Sequence, residues 1–230
     1  MPIKIIKGNI FTSNAKVLVN TVNCEGFMGA GIALEYRLRF PHMYEQYVNI
    51  CEEELLRPGK LWIYKGAEKW VLNFPTKDRW RSPSKDKYLR DGLEKFRSTY
   101  KYRQIESIAF PLLGAQNGGL EKGASLALMR TYLDDLDIDI EIYEYDPCIY
   151  DDLYLKLRES ILNVSPKVLS EVSGLRLAQA EKVIEAVESG QIFQINQLLK
   201  VKGLGAVSIE KLFAFALNSH AQLDSQQPLF

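Results

Sequence analysis

Residues 19–34, Val-Asn-Thr-Val-Asn-Cys-Glu-Gly-Phe-Met-Gly-Ala-Gly-Ile-Ala-Leu, join two asparagines to a glycine-dotted loop and an apolar run that starts a helix. Gly26, Gly29 and Gly31 let a backbone approach a ligand closely. A loop feeding a helix N-terminus turns amide N–H groups toward its ligand, and those groups favour phosphate. Asn20 and Asn23 add neutral donors and acceptors suited to ribose hydroxyls. This is chemistry for a nucleotide diphosphate, with no metal ligands and no cofactor called for.

Three further segments extend that chemistry. Gly8-Asn9-Ile10 ends the first predicted strand and offers a polar side chain for an adenine edge. Asn73-Phe74-Pro75-Thr76-Lys77-Asp78-Arg79-Trp80-Arg81 closes another strand with a lysine among aromatic and basic residues. In residues 110–121 a buried strand opens into a second glycine-rich loop, Gly114-Ala115-Gln116-Asn117-Gly118-Gly119, ahead of a helix. Two such loops at the strand ends of one sheet can grip a pyrophosphate from both sides.

The elements that must position these segments are legible as alternating periodicities. Residues 3–6, 17–19, 61–64, 70–74, 105–112 and 138–145 read as strands; residues 32–40, 43–55, 87–102 and 124–133 read as helices. Alternation of this kind predicts an α/β sandwich around a mainly parallel sheet, with the ligand at the carboxyl ends of the strands. After Pro147 the pattern is helical only, interrupted at Ser165-Pro166, Ser173-Gly174, Ser189-Gly190 and Gly203-Leu204-Gly205. The predicted organisation is a domain over 1–150, an all-α domain over 151–218 and a flexible tail over 219–230.

The 230 residues carry 29 basic and 29 acidic side chains, so net charge does not select a partner class. The distribution is uneven: residues 77–103 hold ten basic and four acidic side chains, residues 131–152 nine acidic and none basic. The basic stretch reads as a solvated face or as a surface for a polyanion. Three widely spaced cysteines fit neither a metal motif nor a disulfide framework. No run is long and apolar enough to span a membrane, and Met1-Pro2-Ile3-Lys4 lacks a signal-peptide core, so a cytoplasmic location is expected.

Taken together, Gly8-Asn9-Ile10, residues 19–34, Asn73 to Arg81 and the 114–120 loop resemble the macrodomains, in that order and spacing, and most of all the DarG type of DNA ADP-ribosyl glycohydrolase. Terminal ADP-ribose glycohydrolases are similar. The resemblance covers roughly residues 1–150 and implies a three-layer α/β/α sandwich with a mixed, mostly parallel sheet. It implies ADP-ribose binding, removal of ADP-ribose from thymidine in DNA, and a partner toxin. By position it places Asn9 and Ile10 near adenine, and Asn20, Asn23, Met28, Gly29, Ala30 and Gly31 near the distal ribose and phosphates. Thr76 stands beside Lys77, which falls at the catalytic lysine. Leu113, Gly114, Ala115, Gln116, Asn117, Gly118, Gly119 and Leu120 form the opposing phosphate loop. Glu121 falls at the proton-shuttling carboxylate, where the family usually has aspartate, and Ala115-Gln116 replace a common Cys-Gly pair. A lysine can attack ribose C1″, where cleavage of an N-glycosidic bond develops positive charge, or trap the opened sugar as an imine. The alternatives are a non-catalytic ADP-ribose reader, or a hydrolase acting on ADP-ribosylated protein.

Residues 201–212 have the form of a helix-hairpin-helix element around Gly203-Leu204-Gly205, and residues 172–183 repeat it around Gly174-Leu175-Arg176. The pair resembles the tandem helix-hairpin-helix domains of competence-type DNA-binding proteins over residues 163–218. That resemblance implies DNA phosphate contacts from Arg176, Lys202, Gly203, Gly205 and Lys211, with Lys200 nearby. The chain ends Gln226-Gln227-Pro228-Leu229-Phe230. Gln226, Leu229 and Phe230 resemble the peptide by which bacterial replication and repair proteins dock on the sliding clamp.

Overall fold

The computed structural model describes residues 2–115, 118–162 and 164–223, with side chains as far as residue 218. The chain divides into two compact units, Met1–Tyr145 and Asp146–Phe230. The division falls at Tyr145 rather than after residue 150 because residues 146–150 are tied into the second unit. Gln194 Nε2 donates to the carbonyls of Asp146 (3.2 Å) and Ile149 (3.0 Å), and Gln197 Nε2 to that of Pro147 (2.6 Å).

In the first unit the elements run β1 (Lys4–Gly8), β2 (Val17–Val22), α1 (Gly31–Arg39), α2 (Pro41–Glu52), β3 (Trp62–Lys65), β4 (Trp70–Pro75), α3 (Asp86–Thr99), β5 (Ser107–Pro111), α4 (Lys122–Leu133) and β6 (Asp139–Tyr145). The six strands pair in the order β1-β6-β5-β2-β4-β3. All neighbours are parallel except the edge strand β3, which runs antiparallel to β4. β2 sits inside the sheet and reads as a continuous apolar run because both of its faces are covered. Val17 and Val19 pack with α3 and α4 residues such as Leu93 and Met129, whereas Leu18 and Val22 pack with Tyr36 and Met43 of α1 and α2. Helices therefore cover both faces, in three layers.

The register on the α1/α2 face has a functional consequence. Asn20 and Asn73 lie opposite one another in β2 and β4, on the same side as Leu18 and Val71. On the other face, Gly92 of α3 is forced by packing: a Cβ there would stand 2.3 Å from Cζ of Phe74. The helix accepts the roughly 1 kcal/mol cost of an interior glycine so that the buried Phe74 ring can hold the end of β4.

The second unit comprises α5 (Asp152–Ile161), α6 (Pro166–Ser173), α7 (Leu177–Glu188), a 3-10 turn (Ile195–Lys200) and α8 (Ala206–Leu223). Asp151 and Ser165 cap α5 and α6, accepting from Tyr154 N (2.6 Å) and Val168 N (3.4 Å). α8 continues past Ser219 to Leu223, which corrects the expected start of the tail. The polar residues there include no glycine or proline to stop the helix, and Ala221 and Leu223 favour it. Gln226, Leu229 and Phe230 lie outside the described residues. Among the described residues, no helix is long and apolar enough to cross a membrane.

Candidate functional site: three strand-end loops

β5, β2 and β4 are adjacent and parallel, so the loops that follow them leave the sheet at one edge. Hydrogen bonds stitch the three loops together. Cys24 N donates to Asp78 O (2.9 Å), Lys77 N to Val22 O (3.4 Å) and Ser84 N to Gly118 O (3.1 Å). Glu25 Oε2 accepts from Trp80 N at 2.8 Å. The end of β1 emerges at the same edge, three strand spacings from β2, or about 14 Å at ~4.8 Å per step.

The loop after β2 is organised by Asn23, which is 8% exposed. Its Nδ2 donates to Phe27 O at 2.6 Å, and its Oδ1 accepts from Glu25 N (2.9 Å) and Phe27 N (3.4 Å). The Tyr47 hydroxyl, on α2, donates to Asn23 O at 2.8 Å and lies 3.2 Å from Oδ1. Asn20 is fully buried. Its Nδ2 donates to Asn73 Oδ1 (2.9 Å) and approaches Met28 Sδ (3.8 Å), while its Oδ1 has no partner among the described residues. Both asparagines thus shape the loop from beneath. The exposed part is Gly29-Ala30-Gly31, where a Cβ on Gly29 would meet nothing within 4 Å. Ala30 stands at the N-cap of α1 and contributes no side-chain cap to the first-turn amides.

Thr76 and Lys77 follow β4. Thr76 is buried, its N–H donating to Val22 O at 3.0 Å, and Lys77 is half-buried. Cys24 Sγ lies 3.5 Å from Lys77 O. Burial, reinforced by the Asp78 carboxylate, pushes the Cys24 thiol up to about 12, so it stays a neutral thiol at physiological pH and is a poor nucleophile. Among the residues brought to this edge, Lys77 carries the amine.

The loop after β5 depends on its glycines. Gly114 (φ 69°) and Gly119 (φ 79°) occupy the left-handed region. A Cβ on Gly118 would lie 2.3 Å from Gly114 O and 2.5 Å from Ser84 Oγ. Leu120 N donates to Gly114 O (2.9 Å), Leu113 O accepts from Ser125 Oγ (2.6 Å), and Ala115 N reaches Leu112 O (3.4 Å). Gln116 and Asn117 lie outside the described residues. Glu121 is the N-cap of α4, its Oε2 accepting from Ala124 N at 2.7 Å. The backbone N–H groups of Gly123 and Ala124 hold this carboxyl below its usual range, keeping it ionised.

At the end of β1, Asn9 Oδ1 accepts from Phe11 N (3.0 Å), capping the 3-10 turn Ile10–Thr12. Asn9 and Ile10 are both buried, and Asn9 Nδ2 has no partner among the described residues. Sequence reasoning missed Tyr47, Asn73 and Ser84 as supports. Tyr47 is hidden in the Met43/Tyr47/Cys51 helical stripe, Asn73 inside a strand, and Ser84 in a polar loop with no periodicity.

In the second unit the two hairpins repeat one arrangement. Leu175 and Leu204 are buried, and each lies between exposed neighbours: Gly174 and Arg176 in one hairpin, Gly203 and Gly205 in the other. Lys182 Nζ donates to Lys202 O at 2.8 Å, and Lys211 Nζ donates to Gly174 O. Each hairpin is thus braced by a lysine from the other's following helix. Lys211, like Arg176, Lys200 and Lys202, is exposed, and it alone of the four reaches the other hairpin's carbonyl.

Residues 19–129 match the Macro domain family model. A DNA ADP-ribosyl glycohydrolase of Thermus aquaticus is 34% identical over 149 residues, covering 63% of this chain and 41% of that protein. A DNA ADP-ribosyl transferase–DNA ADP-ribosyl glycohydrolase fusion protein of Thermosipho africanus is 31% identical over 186 residues, covering 73% and 46%. The chain thus spans less than half the length of these curated relatives. Among solved structures, the macrodomain of Thermus aquaticus DarG superposes with a TM-score of 0.59 at 34% identity, covering 62% of this chain and 97% of that one. Thermosipho africanus DarTG in complex with ADP-ribose gives 0.60 at 32% identity, covering 63% and 42%. By its strand order, by the loops at its sheet edge and by these likenesses, the first unit places this chain in the macrodomain family.

Proposed function

We propose that this chain is a hydrolase that removes ADP-ribose from ADP-ribosylated DNA, thymidine being the modified nucleoside. The observation that carries the reading is the half-buried Lys77, on a strand-end loop that is hydrogen-bonded to both glycine-rich loops at one sheet edge, in a unit similar to DNA ADP-ribosyl glycohydrolases. The adenine end lies toward Asn9 and Ile10. The pyrophosphate lies between residues 28–31 and 113–120, and the distal ribose beside Lys77. The span of about 14 Å from β1 to β2 suits an extended ligand. In the reaction the Lys77 amine attacks C1″ and the C1″–N bond to the base breaks. The base leaves with a proton, and water then hydrolyses the lysine adduct to free ADP-ribose and restore the amine. Glu121, ionised, accepts protons in this scheme.

The second unit holds the DNA in this reading. Two hairpins with exposed glycines, each opening a helix, present backbone N–H groups to phosphates without reading bases. Arg176, Lys200 and Lys202 supply the charge, so binding weakens with salt. The tail residues Gln226, Leu229 and Phe230 dock on a sliding clamp, and a DNA-modifying transferase is the partner toxin.

The test is release of ADP-ribose from a thymidine-modified single-stranded oligonucleotide. Lys77→Ala is expected to lower release about 100-fold or more while retaining ADP-ribose affinity; unimpaired release overturns the mechanism. One observation favours a second reading, a reader that holds without cleaving: the Glu121 carboxylate is already engaged by Ala124 N at 2.7 Å. Micromolar binding of ADP-ribose by the wild type, with no release from modified DNA or modified protein, selects that reading.

A further inference from the structure

Beside the glycine cradle stand two aromatic side chains that the cleavage chemistry does not use. Phe27 is 56% exposed and Trp80 44% exposed, with ring centroids 5.8 Å apart. They come from the loops after β2 and β4, the same loops that carry Asn23 and Lys77. The bond from Trp80 N to Glu25 Oε2 and the bond from Cys24 N to Asp78 O hold those loops together. Trp80 is three residues beyond Lys77, so the shelf adjoins the position proposed for the scissile bond. Large apolar groups left in water at the rim of a site mark a surface that something covers.

Charge selects the occupant. Six of the ten cations of residues 77–103 fall into two groups. On α3, Lys87 pairs with Asp91 (2.8 Å), Arg90 with Asp86 (2.6 Å), and Arg97 with Asp135. Ahead of α3, Arg79, Arg81 and Lys85 are exposed and, among the described residues, pair with no carboxylate. The Arg81 guanidinium sits over one face of the Trp80 ring, 4.6 Å from its centroid, in a cation–π contact that holds the indole in place. Local carboxylates are Glu25, engaged by Trp80 N, and Asp78. An aromatic platform flanked by excess cations is how proteins hold single-stranded nucleic acid: rings stack on bases and cations follow the phosphates.

We infer that Phe27 and Trp80 form a stacking shelf for a nucleobase of single-stranded DNA flanking the modified nucleotide, with Arg79, Arg81 and Lys85 meeting the adjoining phosphates. The inference rests on the ADP-ribosylated-DNA reading and adds a recognition surface to it. It makes the substrate a strand rather than a nucleoside, because one flanking base must be unstacked to reach the rings.

The test compares equilibrium affinity for ADP-ribose and for an ADP-ribosylated single-stranded oligonucleotide, in the full chain carrying Lys77→Ala so that substrate is not consumed. Adding Trp80→Ala is expected to weaken oligonucleotide binding about 5- to 100-fold while changing ADP-ribose affinity less than about twofold. Trp80→Phe, which keeps a stacking face, recovers most of the loss, and unchanged thermal unfolding excludes a folding defect. Equal loss for both ligands, or none for the oligonucleotide, overturns the shelf while leaving the hydrolase reading intact if the wild type still releases ADP-ribose from modified DNA. A Trp80-dependent gain seen with an ADP-ribosylated peptide and not with the oligonucleotide also overturns it. A protein that binds neither ligand overturns the shelf and the functional reading together.

Discussion

The two glycine-rich loops that flank Lys77 look interchangeable as sequence and differ in what holds them: the loop after β5 has a glycine that packing requires and a carboxylate cap on its helix, and the loop after β2 is braced by Asn23. In the loop after β5 the glycines serve the fold: Gly114 and Gly119 adopt left-handed backbone, and Gly118 lies where a Cβ would collide with Gly114 O and Ser84 Oγ. The helix this loop feeds is already capped by the loop's own carboxylate, Glu121. In the loop after β2, Gly26 (φ 82°) and Gly31 (φ 57°) are left-handed too, and side chains add to the shape, Asn23 against its own backbone and the Tyr47 hydroxyl against Asn23. Gly29 there has open space around it, and α1 has no side-chain cap. The difference teaches that a glycine required by packing supports a wall, while a glycine that packing does not require leaves room for a ligand.

The strongest way to break the comparison is Gly118→Ala. Overpacking of this kind costs about 1–3 kcal/mol, so thermal unfolding is expected to drop by roughly 3–10 °C; an unchanged midpoint removes the structural role assigned to that glycine. Gly29→Val is the converse. It should leave the unfolding midpoint in place and lower ADP-ribose affinity, read by calorimetry, at least about tenfold; lost stability with retained affinity inverts the assignment. The smallest effect concerns the capped helix. Because the folded Glu121 carboxyl is held below its ordinary value, its stabilisation is present above the ordinary carboxylate range and is lost as pH falls through the lowered folded value. The midpoint difference between wild type and Glu121→Gln is therefore expected at neutral pH and should vanish in acid. A difference independent of pH means the cap does not depend on the charge.

Much of the first unit is legible in its residues because burial on both faces forces apolar runs such as Val17 to Val19, and helix faces repeat every three to four residues, as Leu89, Leu93 and Phe96 do. Motif spacing also found the three loops. Which side chains support the loops was not legible. Asn20 and Asn23 both look like ligand donors in sequence; that Asn20 is also buried against Asn73, and that Asn23 also bonds Phe27 and Glu25, is seen only in the structure. Lys211 reads as a phosphate contact in sequence; its bond to the Gly174 carbonyl, thirty-seven positions away, is visible only in the structure. The end of α8 was missed for a local reason, since polarity alone does not end a helix that lacks a breaker.

By itself the sequence determined the alternating α/β plan of the first unit, the helical character of the second, and a lysine after the fourth strand, because periodicity and breakers act over a few neighbouring residues. The tertiary structure alone decided that the loops after β2, β4 and β5 meet, that the Phe27 and Trp80 rings lie side by side, and that Gly118 and Gly29 sit in different surroundings. Those outcomes depend on strand order and on contacts between residues some fifty to ninety positions apart, such as Cys24 with Asp78. No local pattern encodes which partner a side chain finds once the sheet has closed.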